Sequence, residues 1–245
     1  MQQPRDAWVT FPRPNPYAAI RLFCFTYAGG GTAVFSNWAE FLPLNVEVCP
    51  IRLPGRESRL QERPYTRIDE IVPPLVEAIL PFLDKPFVFY GHSMGAIVAF
   101  ETARQLRSLN QPEPKQLLVS GCRAPQVPDS DRPIHSLPEA EFVAAMSRLN
   151  GTPKAVLVDK DILALLMPLL RADFEAIETY KCLPEKPLAC SISIVGAEDD
   201  PKADCVNMEA WQDQTCGCFS HHVVPGNHFF IRDEPFRLWL ADQIR

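Results

Sequence analysis

A serine between two glycines is the residue in this sequence whose setting most clearly indicates chemistry. Residues 91–95 read Gly-His-Ser-Met-Gly, so Ser93 occupies the middle of a G-x-S-x-G motif. The hydrophobic run Phe87–Tyr90 precedes the motif, and small and apolar residues at helical spacing follow it. Between a strand and a helix, two glycines permit a turn so sharp that the serine hydroxyl projects above the sheet. A simple glycine turn capped by serine would show the same motif, but the flanking patterns favour a nucleophile.

A serine hydroxyl is a poor nucleophile at neutral pH unless a base lies within hydrogen-bond reach, and His228 is the candidate base. His228 follows a Pro-Gly pair in a loop after the last predicted strand, which is where such a base belongs. Three other histidines follow Ser93, one in a helical insertion and two in a strand-like run: His135, His221 and His222. Those contexts favour structural or surface imidazoles.

The loop after the predicted strand Ser191–Gly196 supplies candidates for the acid that would fix the histidine tautomer. It contains three successive carboxylates, Glu198, Asp199 and Asp200, and Pro201 restricts the backbone directly after them. The residues alone favour this loop, but they do not separate Asp199 from Asp200. The carboxylate that does not orient the histidine would be a solvated loop residue.

An acyl-transfer site also needs two backbone N–H groups directed at the carbonyl oxygen as it gains negative charge. One is expected from Met94, the residue after the candidate nucleophile. The other is expected from the loop after an earlier strand, where residues 27–31 read Tyr-Ala-Gly-Gly-Gly. We predict that Ala28 is the donor, because the glycines after it let the backbone approach a bound group.

Strand and helix patterns alternate along most of the chain, which predicts the elements that must position these groups. Strand-like runs are found at Arg21–Thr26, Val46–Ile51, Phe87–Tyr90, Gln116–Gly121, Ser191–Gly196 and His221–Pro225. Helical spacing is found at Ala33–Leu42 and Ile68–Leu83, after Ser93, and at Val206–Gln212 and Asp233–Ile244. This alternation predicts an α/β fold with a mostly parallel sheet flanked by helices.

The alternation stops between residues 123 and 182, and we call this segment the insertion. It carries only helical patterns, at Pro138–Leu149 and Lys160–Tyr180. The second pattern places five apolar residues on one face of the helix, and we expect this face to pack within the cap: Ile162, Leu165, Leu166, Leu169 and Leu170. A helical insertion above the carboxyl ends of a sheet is expected to act as a lid over a pocket, or as a fixed cap that forms its wall.

The bulk composition limits the classes of function. The chain has 245 residues, 47% of them hydrophobic, and a formal net charge of −6. We predict a single domain over residues 1–245, and the acidic balance argues against nucleic acid as a partner. No apolar run approaches the length of about 20 residues that spans a bilayer, and the N-terminus lacks the apolar segment of a signal peptide. A cytoplasmic protein without membrane contact is expected.

Eight cysteines raise the question of disulfides or a metal site. Cys24, Cys49 and Cys122 lie within or beside apolar strand-like runs, where cysteine behaves as a small hydrophobic residue, so reduced thiols are expected. One cluster combines cysteines and histidines, at Cys216, Cys218, His221 and His222. Its spacing matches none of the common zinc patterns, and we predict neither a metal nor a cofactor.

Five segments between residues 28 and 230 match one protein family in order and spacing. They are Ala28–Gly30 with Trp38, Leu53–Glu57 with Arg59, Gly91–Gly95, Gly196–Pro201 and Gly226–Phe230. On these segments the chain resembles the stand-alone type II thioesterases that accompany nonribosomal peptide and polyketide synthetases, within the α/β-hydrolase superfamily. The set is far more specific than any one segment.

The resemblance implies a role for each candidate residue. It assigns the nucleophile to Ser93, the base to His228 in a G-x-H-F-F pattern, and the acid to Asp200 in a G-x-x-x-D-P pattern. The choice of Asp200 over Asp199 rests on this analogy alone. The sequence departs from the family at three loop positions where proline, serine and glycine are common: Thr26, Gly31 and Asn227.

The resemblance also implies a substrate and a partner. Family members hydrolyse acyl groups, often misprimed or stalled, from the phosphopantetheine arm of an acyl- or peptidyl-carrier protein, and the family suggests a monomer. The alternatives are an esterase or lipase that acts on small free esters, and a catalytically silent module that binds carrier proteins. A terminal cyclising thioesterase is disfavoured, because the chain starts with its own Met1 and shows no fused carrier segment.

Positive charge is concentrated in one loop of this acidic protein. Five arginines lie within sixteen positions, at Arg52, Arg56, Arg59, Arg63 and Arg67. Because carrier proteins are usually acidic, this loop could steer docking. Internal ion pairs with Glu57 and Glu62, or simple solvation, are the more common outcome for any single arginine.

Overall fold

A parallel sheet forms the centre of the protein. The computed structural model describes residues 7–149, 159–201 and 204–244, and within them six strands form one sheet. The strands are β1 Ile20–Phe25, β2 Val46–Pro50, β3 Phe87–His92, β4 Gln116–Ser120, β5 Ser191–Ala197 and β6 Phe219–Val224. Their order across the sheet is β2-β1-β3-β4-β5-β6, and every neighbouring pair runs parallel. The predicted α/β class is confirmed.

Helices connect and cover the strands. They are α1 Ile68–Ile79, α2 Met94–Ser108, α3 Glu139–Leu149, α4 Lys160–Glu178, α5 Cys205–Glu209 and α6 Glu234–Gln243. In the part of the chain that the structure describes, none of them combines the length and the apolar composition that crossing a bilayer requires.

Two hydrophobic layers cover the two faces of the sheet. On one face, α1 and α2 pack against strand residues that include Phe23 and Phe89. On the other face, α6 packs through Phe236 and Leu240. Strand β3 lies inside the sheet and is buried along its whole length. This double cover explains its nearly continuous hydrophobic sequence, because a central parallel strand meets apolar groups on both sides.

The segment 33–42 does not form the helix that its spacing predicts. It forms two short 3₁₀ turns, Thr32–Phe35 and Trp38–Glu40. The carboxylate of Glu57 accepts hydrogen bonds from the backbone N–H and the hydroxyl of Thr32, so a residue distant in sequence fixes the first turn. Phe35 and Trp38 are buried against each other, with ring centroids 4.9 Å apart.

Two other predicted helices are shorter than their patterns. Helix α1 ends at Ile79 and continues as a 3₁₀ turn over Leu80–Phe82, where Pro81 has no N–H to extend the helical hydrogen bonds. Helix α5 is followed by the 3₁₀ turn Ala210–Gln214. Helical spacing therefore located both segments but not the tighter turns at their ends.

The insertion contributes α3 and α4, and the buried face of α4 differs from the predicted one. Leu163, Leu169 and Leu170 are buried, whereas Ile162 and Leu165 are 42% and 55% exposed. Leu163 and Leu170 pack with Phe142 of α3. The prediction for Ile162 and Leu165 is wrong, because the position of α3 selects a different stripe from a helix with apolar residues on several sides.

Candidate active site

Loops at the carboxyl ends of four strands bring the candidate residues together. Ser93 follows β3, Asp200 follows β5, and His228 follows β6. The Tyr27–Gly31 loop follows β1. Because all the strands are parallel, these ends share one edge of the sheet, which is where ligands bind in open α/β sheets.

The turn at Ser93 adopts a backbone conformation that few residues occupy. Its φ is 54° and its ψ is −121°, outside the regions open to most L-residues. A Cβ atom on Gly91 would lie 2.4 Å from the carbonyl oxygen of Gly95, and one on Gly95 would lie 2.2 Å from the carbonyl oxygen of Phe25. Close backbone contacts therefore require glycine on both sides of the serine.

The His228 imidazole is hydrogen-bonded to one of the three candidate carboxylates. Its Nδ1 lies 2.8 Å from Oδ2 of Asp200, whose side chain is fully buried. Glu198 and Asp199 are exposed. With the Nδ1 proton directed at the carboxylate, Nε2 is the nitrogen left to accept a proton.

Ser93 and His228 line the same chamber. Among the described residues, no hydrogen bond joins the Ser93 hydroxyl to His228. Catalytic hydrogen bonds are often long in unliganded enzymes and shorten when the substrate binds.

The backbone N–H groups of Ala28 and Met94, predicted to bind the oxyanion, have no acceptor among the described residues. In the described ranges, neither the Ala28 N–H nor the Met94 N–H donates a hydrogen bond to the protein. Both residues line the chamber beside Ser93. Met94 is buried and Ala28 is partly buried, so two N–H groups without a protein acceptor at the chamber are suited to receive an oxyanion.

Two positions at which the sequence departs from the family have local explanations. Asn227 accepts the backbone N–H of Phe229 at its side-chain oxygen, 2.9 Å away, which stabilises the loop after His228. A Cβ atom on Gly31 would lie 2.5 Å from Oε1 of Glu57, the carboxylate that holds the neighbouring turn. Nothing in the structure explains Thr26 in place of proline.

A buried hydrogen-bond chain beside His228 was not predicted from the sequence. Nδ1 of His92 lies 2.8 Å from Oγ of Ser120, which lies 2.6 Å from the hydroxyl of Tyr90. The His92 ring centroid is 5.0 Å from that of His228. Burial, and then the nearby imidazole of His228, hold the pKa of His92 well below its usual range, so His92 is neutral. The position of His92 inside the G-x-S-x-G motif was the sequence feature that could have indicated its place beside the site.

The chamber that contains Ser93 has a volume of about 700 Å³. Much of its wall comes from the insertion, through Met146, Leu149, Leu170, Phe174 and Ile177. An apolar wall of this kind suits an acyl chain. Described residues of the insertion therefore supply part of the wall of this chamber, while the action of the insertion as a lid stays a prediction.

A second cavity, of about 580 Å³, lies against the Tyr27–Gly31 loop. It shares Tyr27, Ala28 and Leu170 with the chamber. Arg232 and Arg237 line it, and Arg232 donates a hydrogen bond to the Tyr27 hydroxyl at 2.9 Å. Within the described residues, neither arginine forms an ion pair and no carboxylate lines the cavity. We call this second cavity the arginine cleft.

The three other histidines that follow Ser93 do not line the chamber, although Glu178, the partner of His135, does. His135 pairs with Glu178 at 2.6 Å and His221 with Glu209 at 3.3 Å, while His222 stacks on Trp239. The seven cysteines whose side chains are described are free thiols. No cluster of three or more His, Cys, Asp or Glu suited to a metal ion occurs in the described part of the chain.

The arginine-rich loop divides into buried and exposed members. Arg56 and Arg59 are buried, and Arg59 pairs with Glu62 and stacks over Trp8. Arg67 is exposed and pairs with Asp69. Arg56 and Arg59 therefore form ion pairs inside the protein, with Asp173 and Glu62, and are not available on the surface for docking.

Comparison with known proteins identifies the family. The family model described as the thioesterase domain matches residues 20–238. Linear gramicidin dehydrogenase LgrE of Brevibacillus parabrevis is 42% identical over 234 residues, which cover 94% of this chain and 89% of LgrE.

Solved structures give the same result. The RedJ thioesterase of the prodiginine biosynthetic pathway in Streptomyces coelicolor superposes with a TM-score of 0.85 at 37% identity, covering 96% of this chain and 91% of RedJ. The type II thioesterase BorB of the borrelidin biosynthetic cluster has a TM-score of 0.86 at 30% identity, with coverages of 98% and 97%. The chain belongs to the thioesterase family of α/β-hydrolases, and within it to the type II thioesterases of nonribosomal peptide and polyketide pathways.

Proposed function

We propose that this chain is a serine thioesterase that removes acyl and aminoacyl groups from the phosphopantetheine arm of carrier proteins. In this proposal its substrates are the thioesters of misprimed or stalled synthetase modules, and catalysis passes through an acyl-serine. One observation carries the proposal: the hydrogen-bonded pair of His228 and Asp200 lies at the chamber that Ser93 lines, beside the free amides of Ala28 and Met94.

The first half of the proposed reaction forms the acyl-enzyme. Nε2 of His228 accepts the proton of the Ser93 hydroxyl while Oγ attacks the thioester carbon. Asp200 accepts the Nδ1–H of His228 and stabilises the imidazolium. The amides of Ala28 and Met94 stabilise the oxyanion. The imidazolium then protonates the pantetheine sulfur as the C–S bond breaks, and the free thiol leaves.

The second half releases the acid. A water molecule attacks the carbonyl carbon of the acyl-serine while His228 accepts one of its protons. The ester bond to Oγ breaks, and the imidazolium returns the proton to Ser93. The carboxylic acid leaves and the enzyme is regenerated, so no other reactant is consumed.

The two cavities indicate how the substrate lies. We place the acyl group in the chamber, because the insertion supplies it with apolar side chains. The leaving sulfur must lie next to His228, and residues that follow His228 in the chain, including Ile231, line the arginine cleft. We therefore place the pantetheine arm there, where Arg232 and Arg237 can bind its phosphate.

A matched pair of substrates tests this orientation. For Arg237→Gln, KM for an acyl-phosphopantetheine should rise about tenfold, the size of effect expected from one lost charged hydrogen bond of roughly 1.5 kcal/mol. KM for the same acyl-pantetheine without phosphate should not change. Arg67→Gln, which removes an exposed arginine paired with Asp69, is the control. Equal changes with both substrates would contradict the orientation.

The proposal includes the partner, the domain organisation and the location. The partner is an acyl- or peptidyl-carrier protein, and the enzyme works as a cytoplasmic monomer. Residues 1–245 form one α/β-hydrolase domain in which the insertion, residues 123–182, acts as a lid. Support for the lid comes from α3 and α4, which supply wall residues of the chamber.

The word dehydrogenase in the name of LgrE does not lead us to propose a dehydrogenase activity for this chain. A dinucleotide fingerprint G-x-G-x-x-G that begins at Gly29 would need glycine or alanine at position 34, where Val34 stands. The segment after β1 also forms a four-residue 3₁₀ turn in place of the long helix of that motif.

Hydrolysis of carrier-bound thioesters tests the function directly. Ser93→Ala and His228→Ala should each lower kcat by about 10³-fold or more, since catalytic groups of a triad act as a unit. His221→Ala, which removes an imidazole paired with Glu209 outside the chamber, is the control. A Ser93→Ala protein that hydrolyses at the parent rate would refute the mechanism.

Two comparisons separate the alternatives. Faster turnover of a free p-nitrophenyl ester than of the carrier-bound acyl group would favour the esterase. Failure of a fluorophosphonate to label Ser93 would favour a silent binding module. A profile over short, long and aminoacyl carriers would then define the preferred acyl group.

A further inference from the structure

A buried ion pair joins helix α4 of the insertion to the arginine-rich loop, next to the loop that carries Ala28. Asp173 of α4 is 1% exposed and Arg56 is 4% exposed. The Arg56 Nη2 lies 2.8 Å from Oδ1 of Asp173. Removing two charges from water is costly unless further hydrogen bonds compensate them, so their additional partners are informative.

Both side chains also bind the backbone of the Tyr27–Gly31 loop, which we call the glycine loop. Oδ2 of Asp173 accepts the N–H of Gly29 at 2.7 Å. Nη1 of Arg56 donates to the carbonyl oxygen of Gly30 at 2.7 Å. The ion pair therefore binds two successive residues of the loop, each through a charged hydrogen bond.

These bonds act on the peptide group that contains the Ala28 amide. The N–H of Gly30 donates to the carbonyl oxygen of Tyr27 at 2.9 Å. That carbonyl belongs to the same planar trans peptide as the N–H of Ala28, so the two groups point in opposite directions. Fixing Gly30 thus fixes the direction of the Ala28 N–H.

Packing supports the same connection. A Cβ atom on Gly29 would lie 2.5 Å from Cδ2 of Leu170, one turn before Asp173 on α4. The φ of Gly29 is 76°, in the region that favours glycine. The loop is therefore shaped to receive α4, and the conformation of Gly29 depends on helix residues more than 140 positions away in the sequence.

We propose that Arg56 and Asp173 are positioning residues that hold the Ala28 amide in place, so that helix α4 of the insertion completes the oxyanion hole. This proposal rests on the proposed function. It implies that the C-terminal part of α4 stays bound to the glycine loop during turnover, and that any opening of the chamber occurs elsewhere in the insertion.

A second ion pair, between Arg21 and Glu47, provides a matched control. Glu47 is 5% exposed and pairs with Arg21 at 2.8 Å, and it also accepts a backbone N–H, that of Asn15, at 2.8 Å. Glu47 and Arg21 lie near the amino ends of β2 and β1, at the opposite end of the sheet from Ser93. Glu47→Gln and Asp173→Asn therefore remove similar charges from similar settings.

For Asp173→Asn we expect kcat to fall about 10- to 100-fold, less than the loss of about 10²–10³ that follows removal of an oxyanion donor. KM should stay within about twofold and the pH profile should not move, because His228 and Asp200 are unchanged. Labelling of Ser93 by a fluorophosphonate should slow by a similar factor. Glu47→Gln should lower the thermal midpoint to a similar extent and leave kcat within about twofold, as expected for a distant ion pair.

Each result has a defined meaning. A kcat within twofold of the parent for folded Asp173→Asn would overturn the proposal, and so would equal losses of kcat in Asp173→Asn and Glu47→Gln. If Asp173→Asn does not fold, Arg56→Lys keeps the charge and removes the paired donors, and the same thresholds apply to it. Failure of the proposed function would appear separately, as parent protein without thioesterase activity.

Discussion

His92 lies within the motif that carries Ser93, yet its contacts indicate a supporting role. It is fully buried, it is hydrogen-bonded to Ser120, and its pKa lies well below the usual range. The unfolded chain binds a proton at this residue below about pH 6.5, whereas the folded protein does so only at much lower pH. Acid therefore favours unfolding through His92, and the contribution vanishes above pH 7.

We expect His92→Gln to reduce this acid sensitivity. Between pH 6.5 and pH 5, the free energy of unfolding of the parent should fall by up to about 1.4 kcal/mol per pH unit more than that of the variant. Urea unfolding at several pH values measures the difference. His222→Gln, a change in a histidine stacked on Trp239, is the control. Parallel pH profiles for parent and His92→Gln would contradict the assignment.

At the scale of elements, the turn between β3 and α2 is fixed by backbone packing. Gly95 approaches the carbonyl oxygens of Phe25, the last residue of β1, and of Thr26, which directly precedes the Tyr27–Gly31 loop. The turn that presents Ser93 is thereby packed against the loop that presents Ala28. Two segments that are distant in the sequence are thus held together by backbone contacts that leave no room for a side chain at Gly95.

Gly95→Ala should therefore be strongly destabilising. Its Cβ would meet backbone atoms at 2.2 to 2.6 Å, which cannot move independently of the sheet. We expect a loss of about 1–3 kcal/mol or more, typical of overpacking, together with slower fluorophosphonate labelling. Ser108→Ala, a change at an exposed position in the last turn of the same helix, is the control. Equal thermal midpoints for the two variants would refute this explanation.

The elements differ in how well local pattern predicts them. The strand-like runs all form strands. Those of β1 to β5 are largely buried, as expected for parallel strands covered on both faces, whereas β6 lies at the edge of the sheet and is mostly not buried. The 33–42 segment departs from its spacing because Glu57 fixes a tight turn there. The buried face of α4 departs from its pattern because α3 decides which stripe is covered.

At the scale of the whole molecule, the chamber exists only where the insertion meets the sheet edge. Its wall combines Met146 of α3, Ile177 of α4 and the loops that carry Ser93 and His228. The volume available to an acyl chain is therefore set by side chains from both parts. A change in the insertion should alter the preference for chain length and leave the chemistry unchanged.

Ile177→Trp tests this dependence, since it places a larger side chain in the chamber wall. We expect kcat/KM for a long acyl carrier to fall about tenfold or more, and for an acetyl carrier to change less than threefold, because steric exclusion acts on the longer chain. Leu165→Trp, on the same helix but 55% exposed and outside the chamber wall, is the control. Equal losses for both chain lengths would show that the chamber does not hold the acyl group.

The sequence by itself determined the alternation of strands and helices, the sharp turn at Ser93 and the loop positions of His228 and the acidic cluster. Each depends on local physics: hydrophobic periodicity, and glycine where a side chain would collide. Only the tertiary structure decided that Asp200 contacts His228 while Asp199 is exposed. Only the tertiary structure showed that Arg56 and Asp173, 117 positions apart, hold one loop. Such contacts depend on how the sheet and the insertion pack in three dimensions, which no local pattern encodes.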